Sequence, residues 1–128
     1  LFVKVKDLMR SDELPFVLPS ASLREAIVRI GEGRLGTVLV VDEESHLEAL
    51  LSDGDVRRAL NSASFDMDAK VVEYASKNPF VIDDEDMLAS EALTLIEAKK
   101  IQLLVVTDKQ KRVKGVLHIH TLVEKGIS

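Results

Sequence analysis

Shifted by 66 residues, the sequence lands on itself: Leu50-Leu51-Ser52-Asp53-Gly54-Asp55-Val56 falls on Val116-Leu117-His118-Ile119-His120-Thr121-Leu122. The register holds without gaps from Glu25 to Leu60. Glu25-Ala26-Ile27 meets Glu91-Ala92-Leu93, Ile30 meets Ile96, and Val40-Val41-Asp42 meets Val106-Thr107-Asp108. Pro15-Phe16-Val17-Leu18 recurs as Pro79-Phe80-Val81-Ile82 at an offset of 64, so the second copy has two extra residues between strand and helix. Such a repeat constrains the fold more than any local motif, because one supersecondary unit is built twice and the copies must bury what each leaves open.

Within each copy the patterning predicts the same order of elements. Residues 5–10 read as a short opening helix. Residues 15–19 form a strand bounded by prolines, which belongs at a sheet edge or a strand start. Ser22-Leu23-Arg24-Glu25 is a capping box, and Leu23, Ala26, Ile27 and Ile30 mark one helical face. Gly31, Gly33 and Gly36 weaken the end of that helix, with Arg34 complementing its dipole. Residues 37–41 are a β-branched and aliphatic run that suits a strand buried on both faces. Then follow a polar turn, a strand at 47–51 and a helix at 53–60. The second copy repeats this as helix 71–75, strand 80–82, helix 88–100, strands 103–107 and 114–117, and helix 119–125. The expected fold is α/β (α+β): two pseudo-two-fold-related β-α-β-β-α repeats packed through their sheets, with residues 1–62 as the first, 63–70 as linker and 71–128 as the second. That packing creates two equivalent clefts, each lined by a strand-to-helix junction.

Composition narrows the function classes. In 128 residues, 46% are apolar and 30% charged, a mixture suited to a folded core. No apolar run approaches a membrane span, and no signal peptide is visible. The absence of cysteine removes disulfide and thiolate chemistry and makes the cytoplasm the expected compartment. A net charge of −5 argues against a nucleic-acid partner, though one small phosphorylated ligand held by local cations is compatible with it. The chain opens on Leu1 rather than methionine, which suggests an excised or processed part of a longer protein.

The most informative junction is Ser52-Asp53-Gly54-Asp55-Val56-Arg57-Arg58, where a strand end turns into a helix. A helix start offers backbone N–H groups and partial positive charge to a phosphate, while the carboxylate of Asp55 suits a ribose or sugar diol. The competing reading is plain helix capping, by Ser52 or Asp53 with Asp55 complementing the dipole. The candidate ligand-binding set is Thr37, Ser52, Asp53, Asp55, Arg57 and Arg58, joined by His118, His120 and Thr121 from the second copy. His118-x-His120 invites zinc, but no third ligand has supporting spacing, so a phosphate-lining role outranks a metal site. Asp53-Gly54-Asp55 lacks the later ligands of a calcium loop. The acidic run 83–86 reads as a solvated turn capping a helix, and Lys109, Lys111, Arg112 and Lys114 as a solvated basic face. No nucleophile–base pair or glycine-rich phosphate loop is present, so no catalytic residue is assigned and no cofactor is required.

The tandem arrangement resembles a pair of cystathionine-β-synthase-type domains, the Bateman module. The Asp7-Leu8-Met9 opening, the Val40-Val41-Asp42 strand end and the Ser52-x-x-Asp55-Val56 junction carry the resemblance, which covers nearly the whole chain. It implies that Ser52 and Asp55 hold the ribose and phosphate of an adenosine-type nucleotide. Ser52-Asp53-Gly54-Asp55-Val56-Arg57-Arg58 together with Gly115-Val116-Leu117-His118-Ile119-His120 is also similar to the C-terminal half of bacterial arabinose 5-phosphate isomerases. That likeness implies a cytoplasmic regulatory module, joined to an N-terminal sugar-isomerase domain that feeds Kdo synthesis for lipopolysaccharide or capsule. Its ligand would be an adenosine- or cytidine-type nucleotide or a nucleotide-sugar, and its protein partner a second copy, docked through 3–9 or 56–60. The alternative is a structural oligomerisation module with vestigial clefts. His118, Thr121 and Ala75 depart from the family pattern, so the second junction lacks the ribose-binding carboxylate.

Overall fold

The computed structural model describes residues 2–128; Leu1, the first residue of the 1–62 copy, lies outside them. Its elements run in the predicted order: α1 (Val5–Leu8), β1 (Phe16–Val17), α2 (Leu23–Gly33), β2 (Thr37–Val41), β3 (Leu47–Ser52), α3 (Asp53–Leu60), a 3-10 turn (Val71–Glu73), β4 (Ser76–Lys77), β5 (Val81–Ile82), α4 (Ala89–Lys99), β6 (Leu103–Thr107), β7 (Val113–His118) and α5 (Ile119–Glu124). The result is a mixed α/β protein with two sheets, ordered β1-β2-β3-β4 and β5-β6-β7. In each, a two-residue strand runs parallel to a fully buried central strand, which pairs antiparallel with the next. No helix among the described residues is long and apolar enough to cross a membrane.

The repeat extends to backbone detail. Thr37 pairs with Ser52 as Leu103 pairs with His118, and both ladders shift register at equivalent points, Val40/Val41 and Val106/Thr107. Positive φ recurs at Arg34 and Lys100 and again at Ser45 and Lys111. The predicted glycines do not supply the left-handed cap of α2; Arg34 does, at φ 59°. Gly33 instead lets the helix approach β1, since a Cβ there would sit 2.8 Å from Pro15 Cβ.

The compact units are not the sequence copies. One comprises Leu1–Asp12 with Phe80–Ser128, the other Glu13–Pro79. The opening segment of each copy is built into the unit that holds the other copy's sheet. Val5 N–H donates to Met87 O at 2.9 Å, Ala89 N–H to Val3 O at 2.8 Å, and Arg10 exchanges both backbone bonds with Val116. The equivalent positions do the same: Val71 N–H donates to Ala21 O and Leu23 N–H to Ala69 O, each at 2.8 Å, while Ser76 pairs with Leu50. These bonds satisfy amides at the helix starts and give β3 and β7 a partner along an open edge. They also account for β4, the one strand outside the predicted set.

Each unit has its own core. Val5, Ile96, Leu104, Leu117 and Leu122 are fully enclosed in one, and Leu23, Val38, Val40, Leu51 and Val71 in the other. Val5, Leu8 and Met9 pack into the first of these, so the apolar face of 3–9 proposed for a second copy is used within the chain. Residues 63–70 also pack rather than merely link: Phe65 and Met67 cover the second core, and Asp66 N–H donates to the Tyr74 hydroxyl at 3.0 Å. The acidic run does not cap α4. The N-cap, Leu88, makes no side-chain bond, and the carboxylates pair instead with lysines: Asp86 with Lys6 at 2.8 Å, Glu85 with Lys114 at 2.8 Å and Asp83 with Lys109 at 3.2 Å.

One close approach makes the docking of the opening segment testable. A Cβ on buried Gly115 would lie 2.9 Å from both Arg10 O and Met9 Sδ. The equivalent pair in the other copy is Ala75 with Ala49, so the larger residue in the opening segment faces the smaller one on the strand. Gly115→Ala is expected to cost about 1–3 kcal/mol by overpacking. Adding Met9→Ala recovers part of that loss, a non-additivity readable in a denaturation double-mutant cycle. Strictly additive effects would show that the two sites do not share this space.

Candidate functional site

The first junction is an end of β3 that turns directly into α3. Ser52 remains extended at φ −103°, ψ 168°, and Asp53 N–H donates across to Gly36 O at 3.0 Å. A reciprocal capping box then closes the turn. Asp55 N–H donates to Ser52 Oγ at 3.2 Å, and Ser52 N–H donates to Asp55 Oδ2 at 2.9 Å. The Ser52 hydroxyl also donates to Oδ2, at 3.1 Å. The other carboxylate oxygen, Oδ1, accepts from Arg58 Nη2 and, at 3.1 Å, from the Ser76 hydroxyl on β4. Asp55 is only 7% exposed, whereas the Arg58 side chain is 73% exposed. Thr37 is buried and pairs with Ser52 across the β2–β3 ladder. Asp53 and Arg57 are exposed.

The structure thus gathers Thr37, Ser52, Asp55 and Arg58, with Asp53 and Arg57 on the exposed surface of the same helix. Ser76 was outside the candidate set. The only sequence signal for it is its place three residues beyond Glu73, the counterpart of the Asp7 that opens the first copy; its proximity to Asp55 comes from the exchange of opening segments.

The second junction has the same backbone and different chemistry. Ile119 N–H donates to Gln102 O at 2.9 Å, as Asp53 does to Gly36. His118 takes the place of Ser52, and its Nδ1 accepts the His120 N–H at 3.1 Å. The two rings are 4.6 Å apart between centroids, tilted by 52°. His118 ends β7 and His120 lies in the first turn of α5. Thr121 is half-buried at the Asp55 position. Glu124 and Arg10 occupy the places of Arg58 and Ser76, reversing the charge pattern. Burial, with a smaller contribution from the charge of His120, holds His118 below the usual imidazole value. Among the described residues no three His, Asp or Glu side chains form a group able to hold a metal ion.

Two further polar pairs serve turns. Asp42 accepts from the backbone and ring of His46 at the β2–β3 turn, and Asp108 from Arg112 at the β6–β7 turn. The backbone N–H bonds lead in holding both carboxyls below the usual carboxylate range. A groove of about 640 Å³ between β1 and α2, with Leu18 and Val28 in its wall, and one of about 360 Å³ beside Asp108 both lie away from the junction residues.

A family model described as "CBS domain" matches residues 5–62 and 71–127. A relative from Helicobacter pylori strain J99 is 43% identical over 127 residues, covering 99% of this chain and 38% of its own length. The arabinose 5-phosphate isomerase KdsD of Francisella tularensis is 34% identical over 97% of the chain and 38% of its length. The chain therefore spans well under half of these relatives. Among solved structures, CBSX2 in complex with AMP has the same fold, with a TM-score of 0.86 at 23% identity, covering 97% of this chain and 96% of that one.

The His118 cap predicts a specific acid sensitivity. Its Nδ1 must be unprotonated to accept the His120 N–H. Because its folded pKa is depressed, the unfolded chain takes up this proton first as pH falls below about 6.5. Stability from this residue is complete above that pH and is lost as pH falls toward the folded value. His118→Asn keeps a capping acceptor and is expected to flatten the decline in Tm between about pH 6.5 and 5. An equal decline in wild type and variant would assign the sensitivity to another group.

Proposed function

The chain belongs to the CBS domain family as a tandem pair, and we propose on that premise that it is a ligand-sensing regulatory module without catalytic residues of its own. The first junction is its principal ligand site. Asp55 takes a ribose diol, and Arg57 and Arg58 take phosphate. The ligand class is an adenosine- or cytidine-type nucleotide or a nucleotide-sugar. The observation that carries this reading is the near-buried carboxylate of Asp55, set on a helix start beside a 73% exposed arginine. The shared fold with an AMP complex supports it. The second junction, with Thr121 and two histidines, does not bind ribose in the same way.

In its parent protein the module is attached to a sugar-phosphate isomerase domain of the Kdo pathway, a reading supported by similarity to KdsD over a span equal to 38% of that relative. It works in the cytoplasm, pairs with a second copy, and regulates by differential binding: ligand favours one arrangement and biases the attached enzyme.

Binding of AMP or a cytidine nucleotide-sugar to the native chain is expected to raise Tm in a concentration-dependent way. Asp55→Asn keeps an acceptor for the Ser52 N–H and removes the charge. A charge-assisted bond is worth about 1.5–3 kcal/mol, so calorimetry is expected to read an affinity roughly tenfold to hundredfold weaker. Thr121→Ala costs much less. If no nucleotide shifts Tm while sedimentation finds a stable dimer, the chain is a structural oligomerisation module instead.

A further inference from the structure

We propose that Ser76 and Arg58 are internal competitors for the Asp55 carboxylate, so that ligand binding at the first junction proceeds by displacing them. The inference rests on the reading that Asp55 is the diol acceptor. A carboxylate offers about four acceptor positions. All four are filled here: Oδ2 by the N–H and hydroxyl of Ser52, Oδ1 by Arg58 and the Ser76 hydroxyl. A diol donating two hydroxyl hydrogens therefore has no vacant acceptor to meet.

The two oxygens differ in how readily they exchange partners. Oδ2 is held by the residue that caps the helix, and opening it would break the junction itself. Oδ1 is held from outside the cap. Arg58 is largely in solvent and is free to follow a phosphate. Ser76 belongs to a strand of two residues, both exposed, paired only with Ala49 and Leu50. Such a strand has little to hold it, so its hydroxyl is the partner a ligand diol replaces most easily. The vacated oxygen, Oδ1, is thus the ligand-facing one. Ser76 sets affinity by occupying it, and β4 loosens when it is vacated. The second junction has no such device, because Thr121 presents no carboxylate and Arg10 stands in place of Ser76.

The test uses AMP with the intact chain. Ser76→Ala deletes the competitor at an exposed position and leaves the capping box in place, so calorimetry is expected to read affinity about tenfold tighter than wild type. Ser76→Thr keeps the hydroxyl and keeps the wild-type affinity. Hydrogen exchange at residues 76–77 of the wild type is expected to speed up on AMP binding, the opposite of the protection a directly contacted strand gains. If wild type binds AMP and Ser76→Ala binds equally or more weakly, the competitor role is overturned while the proposed function stands. If neither protein binds AMP or the cytidine nucleotide-sugar, both are overturned.

Discussion

The exchange of opening segments is the constraint on which the rest of this structure depends. Val3, Val5 and Arg10 spend their backbone groups on Ala89, Met87 and Val116, and Ala69, Val71 and Ser76 spend theirs on Leu23, Ala21 and Leu50. A buried amide without a partner costs about 1–3 kcal/mol, and helix starts and open strand edges each expose several. The segments cover those groups in both units, with equivalent bonds at Val5 and Val71, Ala89 and Leu23. They also contribute apolar cover: Val5 and Val71 are fully enclosed, each in the core of the unit it joins.

The chemistry of the first junction follows from that arrangement. The capping box of Ser52 and Asp55 is local and needs only four consecutive residues. What distinguishes it from an ordinary helix start is the fourth donor, Ser76, brought from 21 residues away by β4. The carboxylate is thereby held almost out of solvent with every acceptor position in use. A ligand there exchanges hydrogen bonds rather than adding them, which ties occupancy to the state of an edge strand.

The second junction repeats the backbone of the first with different side chains. The same turn geometry now holds His118 and Thr121 in place of Ser52 and Asp55. In place of a cap built from a hydroxyl and a carboxylate stands one built from an imidazole nitrogen, whose strength falls with acid as the ring takes up a proton. Equivalent folds are thus compatible with unequal chemistry at equivalent places, because the ladders and helix starts are backbone interactions and tolerate the substitution of side chains at the junction.

The sequence by itself determined the repeat, the order of the elements, the bounds of β2, β6 and α3, and the place of Ser52 and Asp55 at the start of that helix. These are local properties: a β-branched run too short for a helix, a capping spacing, an offset that aligns one copy with the other. Only the tertiary structure decided which sheet each opening segment joins, that β4 exists, and that Ser76 meets Asp55. The bonds responsible run between backbone groups far apart in the chain, such as Ala89 with Val3 and Leu23 with Ala69. Backbone bonds leave no residue-type signature, and the alternating pattern of residues 3–9 is equally satisfied by covering either copy. The choice is made by which partner amides and core surface remain open once each sheet has formed, and that quantity is defined only in three dimensions.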